Sequence, residues 1–339
     1  MKISQSRAPH WRSTDTVALM MRRVLLALLP VTLASSWFFG AGVLLNVAFA
    51  CLVCVALEAA VLVVRNRPVG LFVYDGSALV TGALIALAIP PLTPWWIIVT
   101  ACLFAIVFAK HLYGGLGYNV FNPAMVGYVA ILVSFPQALS DWPVAGATSS
   151  LGATIEVFLF GTAPASLLPD AYTGATPLDA VKMQLQQMRT MDEIMAMPIF
   201  GQLFGRGWGW INLAALGGGL WLLSKGVIRW HIPVAMLGTL TLCYLYFYAL
   251  EPNTQPSPIL GLLSGGTMLG AFFIATDPVS AAASDRGRLI YGAGIGALCF
   301  SLRKWGVYPD AIAFAVLLMN MAAPLIDRYT LPRIYGHRR

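Results

Sequence analysis

The sequence predicts an all-α integral membrane protein, with about ten transmembrane helices arranged as two inverted five-helix repeats containing short, broken helices. Three observations carry this. Of 339 residues, 58% are hydrophobic and only 10% charged, and mean hydropathy is +0.75; a soluble domain carries about a quarter charged residues. Apolar runs recur at the length of a bilayer crossing, about 20 residues as helix. The second half of the chain also weakly repeats the first.

The elements follow in order. Residues 1–23 are polar and basic and read as a cytoplasmic N-terminal segment. No convincing small-residue cleavage site follows them, so the first span is expected to stay as an anchor. Apolar runs then lie at 24–40, 43–64, 77–90, 95–109 and 123–135, giving a first membrane repeat over 24–135. A long polar segment occupies 136–206. Five more runs, at 211–224, 233–250, 259–276, 289–302 and 310–326, give a second repeat over 207–327, with a C-terminal tail at 328–339. The third, fifth and ninth runs are short for a full crossing. Cys51, Cys54, Cys102, Cys243 and Cys299 all fall within apolar runs. "CLVC" resembles a metal or redox pair, but no second pair or nearby histidine completes a site, and buried cysteine acts as a small hydrophobe.

Lysine and arginine set the orientation. With the N-terminus inside, 16 of them fall on cytoplasmic segments and 5 (Lys182, Arg189, Arg206, Arg303, Lys304) on the outer side. That bias fits the positive-inside rule. It places 136–206 in the periplasm and both termini in the cytoplasm of a bacterial inner membrane. The net charge of +7 is spread between apolar runs rather than gathered in a patch, which argues against a nucleic-acid partner.

"DGSALVTGALIALAIPP" (75–91) resembles "SGGTMLGAFFIATDP" (264–278), and "GLGYNVFNPA" (115–124) loosely matches "KWGVYPDA" (304–311). Five spans per half is odd, so the halves would be inverted, as in transporter-like folds. Asp75, Asn119, Asn122 and Asp277 fall near the cytoplasmic ends of the third, fifth and eighth spans. They suit either one inner-side pocket or ordinary capping of helix ends. Glu58, inside the second span, either pairs with Arg65 or faces a pathway.

The polar segment holds three copies of Gly-Ala-Thr, ending at Thr148, Thr154 and Thr176. It has no His/Cys metal cluster and no Ser-His-Asp set, because His10, His111, His231 and His337 all lie elsewhere. Only the third copy reads Asp170-x-x-Thr173-Gly174-Ala175-Thr176. Locally, Thr176-Pro177-Leu178-Asp179 is a helix start, with Thr176 as N-cap. A phosphate esterified to that oxygen would face free backbone N–H groups and the positive end of the helix dipole, so the two readings are compatible.

With "DGSALVTG" from Asp75, "KHLYGGLGYNVFNPA" from Lys110, "FIATDPVSA" from Phe273 and "YPDAIAFAVLLMN" from Tyr308, the chain resembles the RnfD/NqrB family of membrane electron-transport subunits along nearly its whole length. The RnfD branch, of the Rnf complex, fits better, because NqrB carries a longer extension before its first span. The resemblance implies FMN joined covalently to Thr176 by a flavin transferase, with Asp170, Thr173, Gly174 and Ala175 as the recognition motif. It implies a second, non-covalent riboflavin at Asn119 and Asn122, with Asp277. It also implies partner subunits in the Rnf complex, and electron flow between ferredoxin and NAD coupled to Na⁺ or H⁺ movement. This chain carries no catalytic or metal-ligating set of its own under that reading. The alternatives are an inverted-repeat solute channel or transporter without a redox role, and a structural assembly subunit whose Thr176 is only a helix cap.

Overall fold

Several helices in this chain begin where a side chain caps them, and some stop at proline or glycine. The computed structural model describes residues 16–146, 150–161, 173–201, 205–308 and 310–330. Thr16 caps α1 (Val17–Phe39) by accepting from Leu19 N, and Gly40 ends it with φ +85°. α2 (Gly42–Val64) is followed by the single turn α3 (Val69–Val73) and by α4 (Ser77–Ala88), which stops before Pro90-Pro91. α5 (Trp95–Leu103) widens into the π-helix π1 (Phe104–His111). Asn122 caps α6 (Pro123–Ser134), with Pro123 in its first turn.

The polar segment is built of short pieces. They are α7 (Pro136–Ser140), β1 (Trp142–Pro143), α8 (Leu151–Phe160), β2 (Thr173–Gly174), α9 (Pro177–Gln186) and α10 (Met191–Met195). The second half contains α11 (Trp208–Ser224), α12 (His231–Leu250), α13 (Pro258–Leu263), α14 (Thr267–Leu269), π2 (Gly270–Ile274), α15 (Asp285–Trp305) and α16 (Ile312–Thr330).

Among the described residues, four helices, α1, α2, α12 and α16, are long and apolar enough to cross a membrane. Leu26, Leu33, Trp37, Leu52, Leu242 and Met321 on these helices point outward and are more than half exposed. Such a surface suits lipid, not water. Three expectations change in detail. The run 259–276, read as one span, is three pieces, α13, α14 and π2. The run 95–109 extends as a π-helix to His111. The short run 289–302 is the centre of a 21-residue helix whose first turn is polar.

The packing in the two halves is alike. α2 lies on α4 and α5, as α12 lies on α13 and α15. α5 meets α6, as α15 meets α16, while the pairs α1–α11 and α6–α16 join the halves. Small residues permit the close approaches. A Cβ on Gly82 would sit 2.8 Å from the Ala50 carbonyl, and one on Gly292 would sit 2.6 Å from the Ile232 carbonyl. All five cysteines are free, and Cys54, Cys102 and Cys299 are buried in this packing.

Broken helices expose backbone groups that must find partners inside the protein. At the end of α4, Asn46 Nδ2 donates to Pro90 O (3.0 Å) and Pro91 O (3.3 Å). At the break between α13 and α14, Asn212 Nδ2 donates to Leu263 O (3.0 Å) and Gly265 O (2.8 Å), and its Oδ1 accepts from Met268 N (3.1 Å). Arg303 adds bonds to Gly261 O (2.8 Å) and Thr267 Oγ1 (2.9 Å), and Asp310 accepts from Gly266 N (2.8 Å). Asn212→Leu keeps the size but strands three backbone groups. Each buried orphan costs about 1–3 kcal/mol, so the thermal midpoint of the purified protein in detergent is expected to fall clearly. The same change at exposed Asn253 is expected to leave it unmoved.

Candidate functional site

Two cavities open at opposite ends of α4, and the residues singled out in the sequence divide between them. The first surrounds Thr176. β1 and β2 pair antiparallel, with Trp142 opposite Gly174 and Pro143 opposite Thr173. This short ladder brings the Gly-Ala-Thr turn against an aromatic cluster: Trp142 and Trp208 ring centroids are 4.8 Å apart, and Phe39 lies 5.6 and 5.4 Å from them. Thr176 then caps α9, its Oγ1 accepting from Asp179 N (3.2 Å) and donating to Asp179 Oδ2 (2.6 Å). The half-buried hydroxyl borders a cavity of about 660 Å³, open mouth included, walled by Trp142, Trp208, Tyr128, Leu178 and Asp310. Gly174 and Ala175 line a second cleft on the other side of the same tryptophans, with Arg206.

The other two Gly-Ala-Thr copies differ. Thr154 lies within α8, buried, with its hydroxyl bonded to Ser150 O at 3.1 Å. Thr148 lies outside the described residues, as does Asp170, and Thr173 is described in its backbone alone. Among the described copies, Thr176 is the one that is only half buried and borders a cavity.

Burial pushes the Asp179 carboxyl above the usual carboxylate range. The hydrogen bonds from Thr176 act against that shift, and the neighbouring Asp310 charge adds to it. A carboxyl with a raised folded-state pKa stabilises the fold below the unfolded value, about 3.9. That stability is lost as pH rises through the raised value. Asp179→Asn is expected to remove this slope. Thermal midpoints measured between pH 4 and 7 should show wild type losing ground against the variant as pH rises.

The second cavity, about 900 Å³ with its mouth, is lined by Asn119, Asn122 and Asp277 together with Ser77, Lys110 and Phe273. Asn122 Nδ2 donates to Ile274 O (3.2 Å), and its Oδ1 accepts from Met125 N (3.3 Å). Asn119 Nδ2 donates to Phe121 O (3.1 Å), while its buried Oδ1 has no partner among the described residues. Asp277 Oδ2 accepts from Ser280 Oγ at 2.7 Å. Asp75 is not in this lining. It accepts from Ser77 N and Ser77 Oγ at the start of α4, which is the capping role. Glu58 does not pair with Arg65. Its partner is Lys110, at 2.5 Å, and Arg65 instead donates to His111 O.

The wall between the cavities is thin. Asn122 faces the second cavity, while the two residues it bonds, Met125 and Ile274, face the first. Sequence reasoning missed Asp310, Arg303, Asn212 and the tryptophan pair. Trp142 and Trp208 are 66 residues apart and meet only through folding.

The model of the NQR2, RnfD, RnfE family matches residues 4–336. Relatives named as one of the subunits of an ion-translocating oxidoreductase complex are similar end to end. That of Ectopseudomonas mendocina is 50% identical over 100% of this chain and 97% of its own length. That of Pseudomonas aeruginosa has the same figures. That of Vibrio cholerae is 50% identical over 97% of this chain and 98% of its own. This multi-pass membrane chain therefore belongs to the NQR2, RnfD, RnfE family.

Proposed function

We propose that the chain is a membrane subunit of an ion-translocating oxidoreductase complex of the Rnf type, carrying electrons across the membrane between two flavins. FMN is attached through a phosphoester to Thr176 by a flavin transferase, the Thr176 oxygen losing its proton and displacing the nucleoside-monophosphate half of a flavin dinucleotide at its pyrophosphate bond, and a second flavin of riboflavin type sits non-covalently at Asn119, Asn122 and Asp277. The relatives' shared name supports membership of such a complex. Ferredoxin and NAD meet other subunits, and Na⁺ or H⁺ movement belongs to the assembly. About ten spans, some of them broken helices, cross the inner membrane as two inverted repeats, with the Thr176 end in the periplasm and both termini in the cytoplasm. The matching packing of the two halves and the bias of 16 cations against 5 support that arrangement.

The observation that carries the reading is the setting of Thr176. Its half-buried side chain sits at a helix N-terminus that favours phosphate and borders an aromatic cavity able to stack a flat ring system. Asp179 Oδ2, 2.6 Å away, accepts the hydroxyl proton and orients the oxygen for attachment. The residues of the second cavity also fit a flavin: apolar walls beside an Asn119 amide oxygen without a partner among the described residues suit a ring edge with an N–H donor. A bound flavin supplies one- and two-electron transfer; the chain supplies placement and electrostatics. The single layer at Met125, Asn122 and Ile274 keeps the two sites close while sealing each from the other's solvent. The test is flavin fluorescence on the denatured chain after expression beside an active flavin transferase. A fluorescent band supports the reading, and an unmodified chain from that host contradicts it.

A further inference from the structure

Outer-side cations are scarce in this sequence, five of 21, yet four of them converge. Lys182, Arg189, Arg303 and Lys304 line one open groove of about 1,320 Å³, mouth included, between α9, the end of α12 and the end of α15. One carboxylate, Glu251, joins them in the lining; Arg303 is already paired with Asp310 beneath the surface, so Lys182, Arg189 and Lys304 face Glu251 with a surplus of two positive charges. Its floor is apolar, formed by Leu178, Val181, Leu185, Tyr244 and Phe300.

The cations are held in place for different reasons. Lys182 Nζ donates to Gly306 O and Val307 O, which fixes its stem across the groove. Lys304 Nζ lies 3.2 Å from the centre of the Phe247 ring. Arg303, 7% exposed, spends both terminal nitrogens on Gly261, Thr267 and Asp310, while its buried Nε has no partner among the described residues. Exposed Arg189 has no side-chain partner among them either. With Arg303 paired to Asp310, the remaining cations Lys182, Arg189 and Lys304 outnumber Glu251 and repel one another unless a further anion joins them.

We infer that this groove binds an anionic phospholipid, its phosphate held by Lys182, Arg189 and Lys304 and an acyl chain lying on the Tyr244–Phe300 floor. The combination selects the ligand. An acidic protein segment would match the charges but leave the apolar floor uncovered, and a neutral lipid would match the floor but leave the charges unneutralised. α9 carries Lys182 on the same side as Leu178, Val181 and Leu185, so a cation lies next to apolar side chains along one wall of the groove. The assignment stands independently of any flavin on Thr176, although Leu178 borders both cavities.

The test is native mass spectrometry of the purified, delipidated protein titrated with dioleoyl phosphatidylglycerol, with dioleoyl phosphatidylcholine and glycerol 3-phosphate as comparisons. The double variant Arg189→Gln/Lys304→Gln leaves the Lys182 bonds intact, and Arg206→Gln removes the outer cation that lies outside the groove. Wild type and Arg206→Gln are expected to retain one phosphatidylglycerol at least tenfold more tightly than the double variant does. Phosphatidylcholine and glycerol 3-phosphate should bind no better to wild type than to the double variant. In the intact complex, a benzoylphenylalanine at Gln186 should cross-link to lipid. Equal phosphatidylglycerol binding by wild type and a folded double variant overturns the assignment. So does a cross-link to another subunit in place of lipid. If the double variant loses its wild-type melting midpoint, Arg189→Gln alone, at an exposed position, decides on the same criterion.

Discussion

Lys110→Met is expected to destabilise the protein by about 3–5 kcal/mol, the usual cost of stranding one member of a buried ion pair. Lys110 and Glu58 are 1% and 2% exposed and lie 2.5 Å apart at the junction of α2 and π1. Lys110 Nζ also donates to Ser77 Oγ (2.7 Å), which donates in turn to Asp75, so one ammonium ties α2, π1 and the start of α4 together. The second Glu58 oxygen has no hydrogen-bond partner among the described residues, so Lys110 is its main compensation, with His111 Nε2 3.5 Å from the first oxygen. The double variant Glu58→Leu/Lys110→Met removes both charges and should recover much of the loss, because well-packed apolar residues often replace a buried pair at little cost. A double-mutant cycle on melting midpoints in detergent reads this directly. A single variant no less stable than the double would show that water reaches Glu58 and that the pair is not dry.

The second large effect concerns Thr176. Thr176→Val keeps the branched shape but removes the oxygen, and is expected to abolish covalent flavin completely. Thr176→Ser keeps the oxygen and the cap, and is expected to retain attachment. The cap makes a control necessary, since loss of an N-cap costs about 1 kcal/mol by itself. Asp179→Asn separates the two roles: it keeps the backbone N–H that Thr176 accepts from, but weakens the partner that takes the hydroxyl proton. Its attachment should slow without vanishing. Electron transfer through the intact complex should fall with the fraction of unmodified chain in every variant.

The membrane class and the apolar runs were legible because hydropathy reports burial in lipid directly. Most boundaries held to within a few residues, since Asn122-Pro123 and Ser257-Pro258 announce helix starts and Pro90-Pro91 announces a stop. The interruption of 259–276 was hidden, because its groups are satisfied by Asn212, Arg303 and Asp310, which lie in other parts of the chain. The π-helices were hidden for a related reason, as residue type does not distinguish them from α-helix. Gathering Asn119, Asn122 and Asp277 into one cavity could be guessed from their shared end of the bundle. The true partner of Glu58 could not, because Lys110 is 52 residues away and sits at the end of another apolar run. The aromatic wall beside Thr176 depends likewise on β1–β2 pairing and on α11, far from Thr176 in sequence.

The most direct measurement is peptide mass spectrometry of the wild-type chain, purified from a host with an active flavin transferase. Cleavage after lysine and arginine places all three Gly-Ala-Thr copies on one peptide, residues 111–182. The proposed function predicts one added FMN phosphoester mass, localised by fragmentation to Thr176, with Thr148 and Thr154 unmodified. A fully unmodified Thr176, or the mass found on either of the other two threonines, would contradict it.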